Sequence, residues 1–201
     1  MNEKFFDLKK EKQDRIINAA LKVFAQNGYR HSSTDVIVKE AAISKGLLFH
    51  YFGSKIGLFS FLFDYSVKYM LLEFSRSIPP QETNYFSIRK AIEGAKLNVL
   101  RNYPFMSQFI EQGLHETQLD VATSIESAKN SYLSAMRNFK ARVKDTKFKA
   151  GLDKETLENL IRYTVNGLTA DQLQTDSYQP EMLYEEISNY IELLRTLTEE
   201  K

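Results

Sequence analysis

Apolar residues recur at helical spacing along almost the whole 201-residue chain, and its four prolines (79, 80, 104 and 180) fall where that spacing breaks. No stretch alternates apolar and polar in the manner of a half-buried strand, and no hairpin signal is present. The chain therefore reads as all-α, with about nine helices and no internal repeat or low-complexity tract. The first is expected over Lys9–Asn27, where Ile16, Ile17, Ala20, Leu21 and Phe24 share one face and Gly28 supplies a left-handed stop. Ser33 caps a short helix over Thr34–Ala41, and Ser44 caps another over Lys45–Phe52. Gly53-Ser54 starts a long helix over Lys55–Ser77, which Pro79-Pro80 ends. Further helices are expected over Tyr85–Tyr103, Pro104–His115, Leu119–Lys144, Lys154–Leu173 and Pro180–Leu197, with loops at 144–152 and 174–179.

Several classes of function are disfavoured by what the sequence contains. There is no cysteine, so neither disulfides nor thiolate metal sites are available, and the three histidines (31, 50, 115) have no ligand spacing to one another. No metal or cofactor is expected. No nucleophile–base pair, carboxylate pair or phosphate-cradling glycine loop appears, which argues against an enzyme. No apolar run reaches 18 residues, and the start MNEKFFDLKKEKQDR is charged without an apolar core. A cytoplasmic, non-membrane protein is the expectation. Net charge is +1, but residues 1–57 hold ten Lys/Arg against six Asp/Glu. This basic head points to a polyanionic partner at the N-terminal end.

The two short helices, joined by the turn Ala42-Ile43-Ser44 behind a longer supporting helix, form a helix-turn-helix pattern. Helical phasing turns Ile37, Ala41, Leu48 and Phe52 inward, with Ile43 at the corner, onto the Ile17/Leu21/Phe24 face. It leaves Lys45, Gly46, Leu47, Phe49, His50 and Tyr51 outside. Aromatic groups beside lysines suit a DNA major groove, where they touch thymine methyls and base edges while ammonium groups meet phosphates. The N–H groups at the helix starts near Ser33-Thr34, Ser44-Lys45 and Lys55 are further phosphate contacts. Gly46, lacking a side chain, leaves room for the DNA backbone.

Residues 16–59 resemble the DNA-binding domain of the tetracycline-repressor (TetR) family of bacterial transcription regulators. The resemblance lies in IINAALKVFAQNGY (16–29), ST (33–34), IVKEA (37–41), ISKGLLFHYF (43–52) and GSK with LF (53–55, 58–59). Departures include Ala42, where the family usually has a turn glycine, and Phe49, where it usually has tyrosine. A non-glycine residue at positive φ costs about 1 kcal/mol. The resemblance implies a DNA-binding domain over 1–54 and a regulatory domain over 55–201, with a ligand cavity and a dimer interface. It implies a repressor that binds a palindromic double-stranded DNA operator and is released by a small-molecule effector. An activator, or a helical carrier or sensor of apolar ligands without ligand-controlled DNA binding, is the alternative.

The body is compatible with that expectation. Phe61, Tyr65 and Tyr69 on the fourth helix, then Tyr103, Phe105, Met106 and Phe109, then Tyr132, Met136 and Phe139 on the seventh, make an aromatic- and Met-rich interior suited to an apolar ligand, with His115 as a polar anchor. Plain core is the other use for each. Leu157, Leu160, Ile161, Thr164, Val165 and Leu168 stripe the eighth helix, and Leu183, Ile187, Tyr190, Ile191 and Leu194 stripe the ninth. Two such helices per subunit would make a four-helix homodimer interface. The same stripes serve equally for packing inside one chain. A homodimer is also expected mechanically, because one short recognition helix contacts too few bases to be specific.

Overall fold

The computed structural model describes residues 3–174 and 179–200. Within them a single 3-10 turn at Glu3–Phe5 precedes nine α-helices: α1 (Lys10–His31), α2 (Thr34–Glu40), α3 (Lys45–Phe52), α4 (Lys55–Ser77), α5 (Tyr85–Leu100), α6 (Met106–Leu114), α7 (Leu119–Arg142), α8 (Lys154–Leu173) and α9 (Pro180–Thr198). The only extended pairing among the described residues is an isolated antiparallel bridge between Phe148 and Glu199. It ties the expected 144–152 loop to the end of α9, with Lys149 N donating to Thr198 O at 2.9 Å. Most of the loop expected over 174–179 lies outside the described residues.

Most helix limits follow local chemistry. Gly28 takes φ +66° and interrupts α1 where a stop was expected, but helical bonding resumes for one further turn, to His31. Buried Ser32 closes that turn by donating to Val23 O at 3.0 Å and Gly28 O at 2.5 Å. Two expectations around Pro104 need correction. α5 ends at Leu100, not Tyr103, and Pro104 precedes α6, whose N-cap is Phe105. The residue before a proline is held out of the helical region, and Tyr103, so placed, turns its ring inward and is 2% exposed. α7 stops at Arg142, whose guanidinium donates to the carbonyls of Pro79 and Glu82.

The described residues pack as two compact units, and α4 and α7 contribute to both. The first gathers the chain up to Tyr69 with Tyr103–Tyr132. Here α1 packs on α2 and α6, and α2 packs on α3. Phe24, Phe59 and Phe109 meet edge-on or tilted, with Phe59–Phe109 centroids 5.1 Å apart. α6 comes so close to α4 that a Cβ on Gly113 would lie 2.2 Å from Phe63. The second unit gathers Met70–Asn102 with the described residues from Leu133 onward. α9 packs on α5 and α8 around Tyr85, Phe86, Leu157, Ile161, Val165, Leu183, Ile187 and Ile191. Among its described residues the one buried carboxylate, Glu93, is held by Arg89 and Lys96, each at 3.1 Å.

Candidate nucleic-acid interface

Three serine caps set the geometry of residues 33–57. Ser33 Oγ accepts from Asp35 N at 3.2 Å, Ser44 Oγ from Leu47 N at 3.2 Å, and Ser54 Oγ from Gly57 N at 3.0 Å. Each satisfies a backbone donor that a helix start leaves unpaired. Between α2 and α3 the chain reverses at Ala42, whose φ of +49° is the only positive value at a non-glycine residue among those described. The turn is held from behind: Arg15 Nε on α1 donates to Ala41 O at 2.8 Å, and Lys22 pairs with Glu40 at 2.8 Å. Ile37, Ala41 and Leu48 are fully buried, as are Ile17, Leu21 and Phe24 on α1.

On the outer side of α3, Lys45, Gly46 and His50 are exposed, while Leu47, Phe49 and Tyr51 are half-buried. Ser33 and Ser44 are exposed and Thr34 is half-buried at the two helix starts. Tyr51 departs from the outward reading, because its ring packs edge-on against Phe5 at 5.8 Å. Phe52 is half-buried, not fully enclosed, and its ring neighbours are Phe5 at 5.2 Å and Phe61 at 5.0 Å. Phe5, fully buried, is the element the sequence reading missed. It sits in a charged segment with no helical periodicity to mark it.

Both lysines of the expected phosphate contacts are engaged within the chain. Lys45 Nζ lies 2.8 Å and 3.1 Å from the two carboxylate oxygens of Asp35. Lys55 Nζ sits 4.5 Å from the Tyr29 ring centroid and donates to Arg30 O at 3.4 Å, and its partial burial lowers the pKa of its ammonium.

The residues expected to line an effector cavity divide by role. Tyr103 is a hydroxyl hub: it donates to Asp14 at 2.7 Å, shares a 2.9 Å bond with Tyr65, and accepts from Lys10 at 3.0 Å. Tyr69 packs on the Tyr103 ring at 5.2 Å. Burial, reinforced for Tyr65 by its bond to Tyr103 and for Tyr103 by its bond to Asp14, drives both phenols well above their ordinary pKa. At Lys10 burial acts downward, but the hydrogen bond to Asp14 and the charges of Tyr65, Asp14 and Tyr69 together outweigh it and the pKa is raised. Phe109 and Met106 are core, and Phe105 and Tyr132 are half-buried. Met136 and Phe139 are half-buried on α7, with Phe139 edge-on to Phe74 at 5.8 Å. His115 is exposed beside Glu111 at 3.4 Å, so it is not a buried polar anchor. Of these candidates Phe61 lines an open groove of about 530 Å³ with Tyr51, Phe52, Ser60, Ser124 and Ile125. Among the described residues no cluster of three or more metal-ligating side chains occurs.

The expected dimer stripes are largely spent inside the chain. Leu157, Ile161, Val165, Leu183, Ile187 and Ile191 form core with α5, and Leu168 and Leu194 pack at its edge. Thr164 is half-buried. Leu160 (48% exposed) and Tyr190 (43%) are turned outward, joined by Tyr163, Met182, Leu193 and Leu197. The hydrophobic period found the helices' inner faces, and the outer ones lie one step around.

Residues 16–60 match the family described as "Bacterial regulatory proteins, tetR family". Over 104 residues the chain is 33% identical to the uncharacterized HTH-type transcriptional regulator YuxN of Bacillus subtilis, covering 52% of this chain and 36% of that protein. The chain spans 22–36% of the length of the first curated relatives it matches. Among solved structures, the ketosteroid transcriptional regulator KstR2 of Mycobacterium tuberculosis superimposes with a TM-score of 0.73 at 13% identity, over 96% of this chain and 97% of that one. The regulator FadR of Bacillus subtilis in complex with stearoyl-CoA gives 0.51 at 20% identity, over 88% and 96%. At these identities the likeness is one of fold. No single helix among the described residues is long and apolar enough to cross a membrane.

Proposed function

We propose, from the premise that this chain is a member of the tetR family of bacterial regulatory proteins, that it is a repressor that binds a palindromic operator as a homodimer and leaves it when a small apolar or amphipathic effector binds. The observation that carries the DNA reading is the Ser44-capped α3, which presents Lys45, Gly46 and His50 outward from a buttressed turn in the basic part of the chain. Phosphate contacts come from Lys45, Lys55 and the capped starts of α2, α3 and α4, and base contacts from Leu47, Phe49 and His50. Residues 1–54, joined by Lys55 at the start of α4, carry this role, and the rest of residues 55–201 carries effector binding and dimerisation.

The outward residues Leu160, Tyr163, Met182, Tyr190 and Leu193 on α8 and α9 supply the self-complementary face. Two structural neighbours, a ketosteroid regulator and a regulator holding stearoyl-CoA, support an apolar or amphipathic effector class. α4 is the element both roles share. Its first residue, Lys55, follows the recognition helix by three residues, and its 23 residues span about 35 Å. An effector that favours a second placement of α4 lowers DNA affinity only by its differential affinity for the two placements. The test is selection of duplexes from a random library with the purified protein. An enriched palindrome bound at two chains per duplex supports the reading, and failure to enrich any sequence overturns it.

A further inference from the structure

We propose that Asp35 is a built-in competitor for the DNA phosphate contacted by Lys45, so that it sets an upper limit on DNA affinity. The inference rests on the DNA-binding reading above and adds a regulatory residue to that site. Lys45 is the first residue of α3, and Asp35 occupies the first turn of α2. The ammonium meets both carboxylate oxygens, at 2.8 Å and 3.1 Å, across ten positions of sequence. The side chains are 49% and 70% exposed, so the pair can open without disturbing the core.

Asp35 opposes a phosphate in two ways. It occupies the lysine that would otherwise neutralise that phosphate. Where Lys45 follows the phosphate, the carboxylate is left beside a second negative charge. The other ion pair that reaches α2 differs in each respect: Glu40, its partner Lys22 and their contact lie at the C-terminal end of α2, against α1. The cap itself does not depend on the carboxylate, because Ser33 accepts from the backbone N of residue 35. Asp35→Asn therefore removes the charge and keeps the helix start.

The experiment measures affinity for two duplexes, one enriched from a random library by the wild-type protein and one of scrambled sequence, across a range of salt. Asp35→Asn and Lys45→Gln are studied singly and together, with thermal melts to establish that each variant is folded. Asp35→Ser serves as a second variant if the first melts low. The expected result is about a fivefold gain for Asp35→Asn at low salt, with the log–log salt slope steeper by about 0.9. The gain appears on both duplexes, because a phosphate carries no sequence, and it is smaller in the Lys45→Gln background, where only the repulsion between carboxylate and phosphate is relieved. Unchanged or weakened binding by folded Asp35→Asn overturns the inference, as does a gain confined to the enriched duplex. If the wild type enriches and binds no duplex, the DNA-binding reading itself fails, an outcome distinct from these.

Discussion

Gly46 separates what the fold requires from what DNA binding requires. It is the second residue of α3 and is exposed, and a Cβ built on it meets nothing within 4 Å. Nothing inside the chain calls for glycine there. Gly46→Ala should therefore raise stability through helix propensity, by about 0.5 kcal/mol near a helix start. In a chain of this length that is roughly 1–2 °C in Tm. In the proposed DNA complex the same methyl would stand between the α3 N-terminal N–H groups and a phosphate. Losing one hydrogen bond to a charged group costs about 1.5–3 kcal/mol, or roughly 10- to 100-fold in affinity. Scanning calorimetry and fluorescence anisotropy on an enriched duplex read the two quantities separately. A more stable variant with unchanged affinity would refute the close approach of DNA at this position. A lowered Tm would refute the reading of its surroundings.

Three further outcomes follow from the packing. Val165 is 5% exposed within the chain, so Val165→Asp should cost several kcal/mol and unfold the second unit, whereas Leu193→Asp, at a position 53% exposed, should leave the chain folded and shift sedimentation from dimer to monomer, with the melt lowered only by the lost association; a folded Val165→Asp chain, or a dimeric Leu193→Asp one, would contradict the assignment of faces. The raised Tyr65 and Tyr103 phenols favour the protonated form in the folded state, so their contribution is complete below the unfolded pKa of about 10 and is lost as pH rises through the folded values, with raised Lys10 adding in the same direction. Urea unfolding from about pH 8 to 11 should show stability falling, and falling less steeply in Tyr103→Phe; an equal slope would remove Tyr103 from the linkage. Ala42→Gly, which relieves a φ of +49°, should stabilise by about 0.5 kcal/mol once the glycine's extra unfolded-state entropy is set against the relief, and a lower Tm would show that the turn is not strained.

The local grammar of this protein was legible in its sequence because caps, stops and apolar periods act over one turn of helix. Ser33, Ser44 and Ser54 accept the bonds expected of them, Gly28 takes positive φ, and Pro180 opens α9. The unusual Ala42 marks the one non-glycine positive φ among the described residues. Contacts across long stretches of chain were not legible. Phe5 in the aromatic cluster, Arg15 on Ala41 O, Asp35 on Lys45 and the Tyr103 hub on Asp14 each join residues that no period relates. The same limit explains α8 and α9: a hydrophobic stripe says that a helix buries one face, and only packing decides whether its cover is α5 of the same chain or a second copy. Burial depends on the neighbours a side chain meets in three dimensions, and those neighbours are set by the assembled fold.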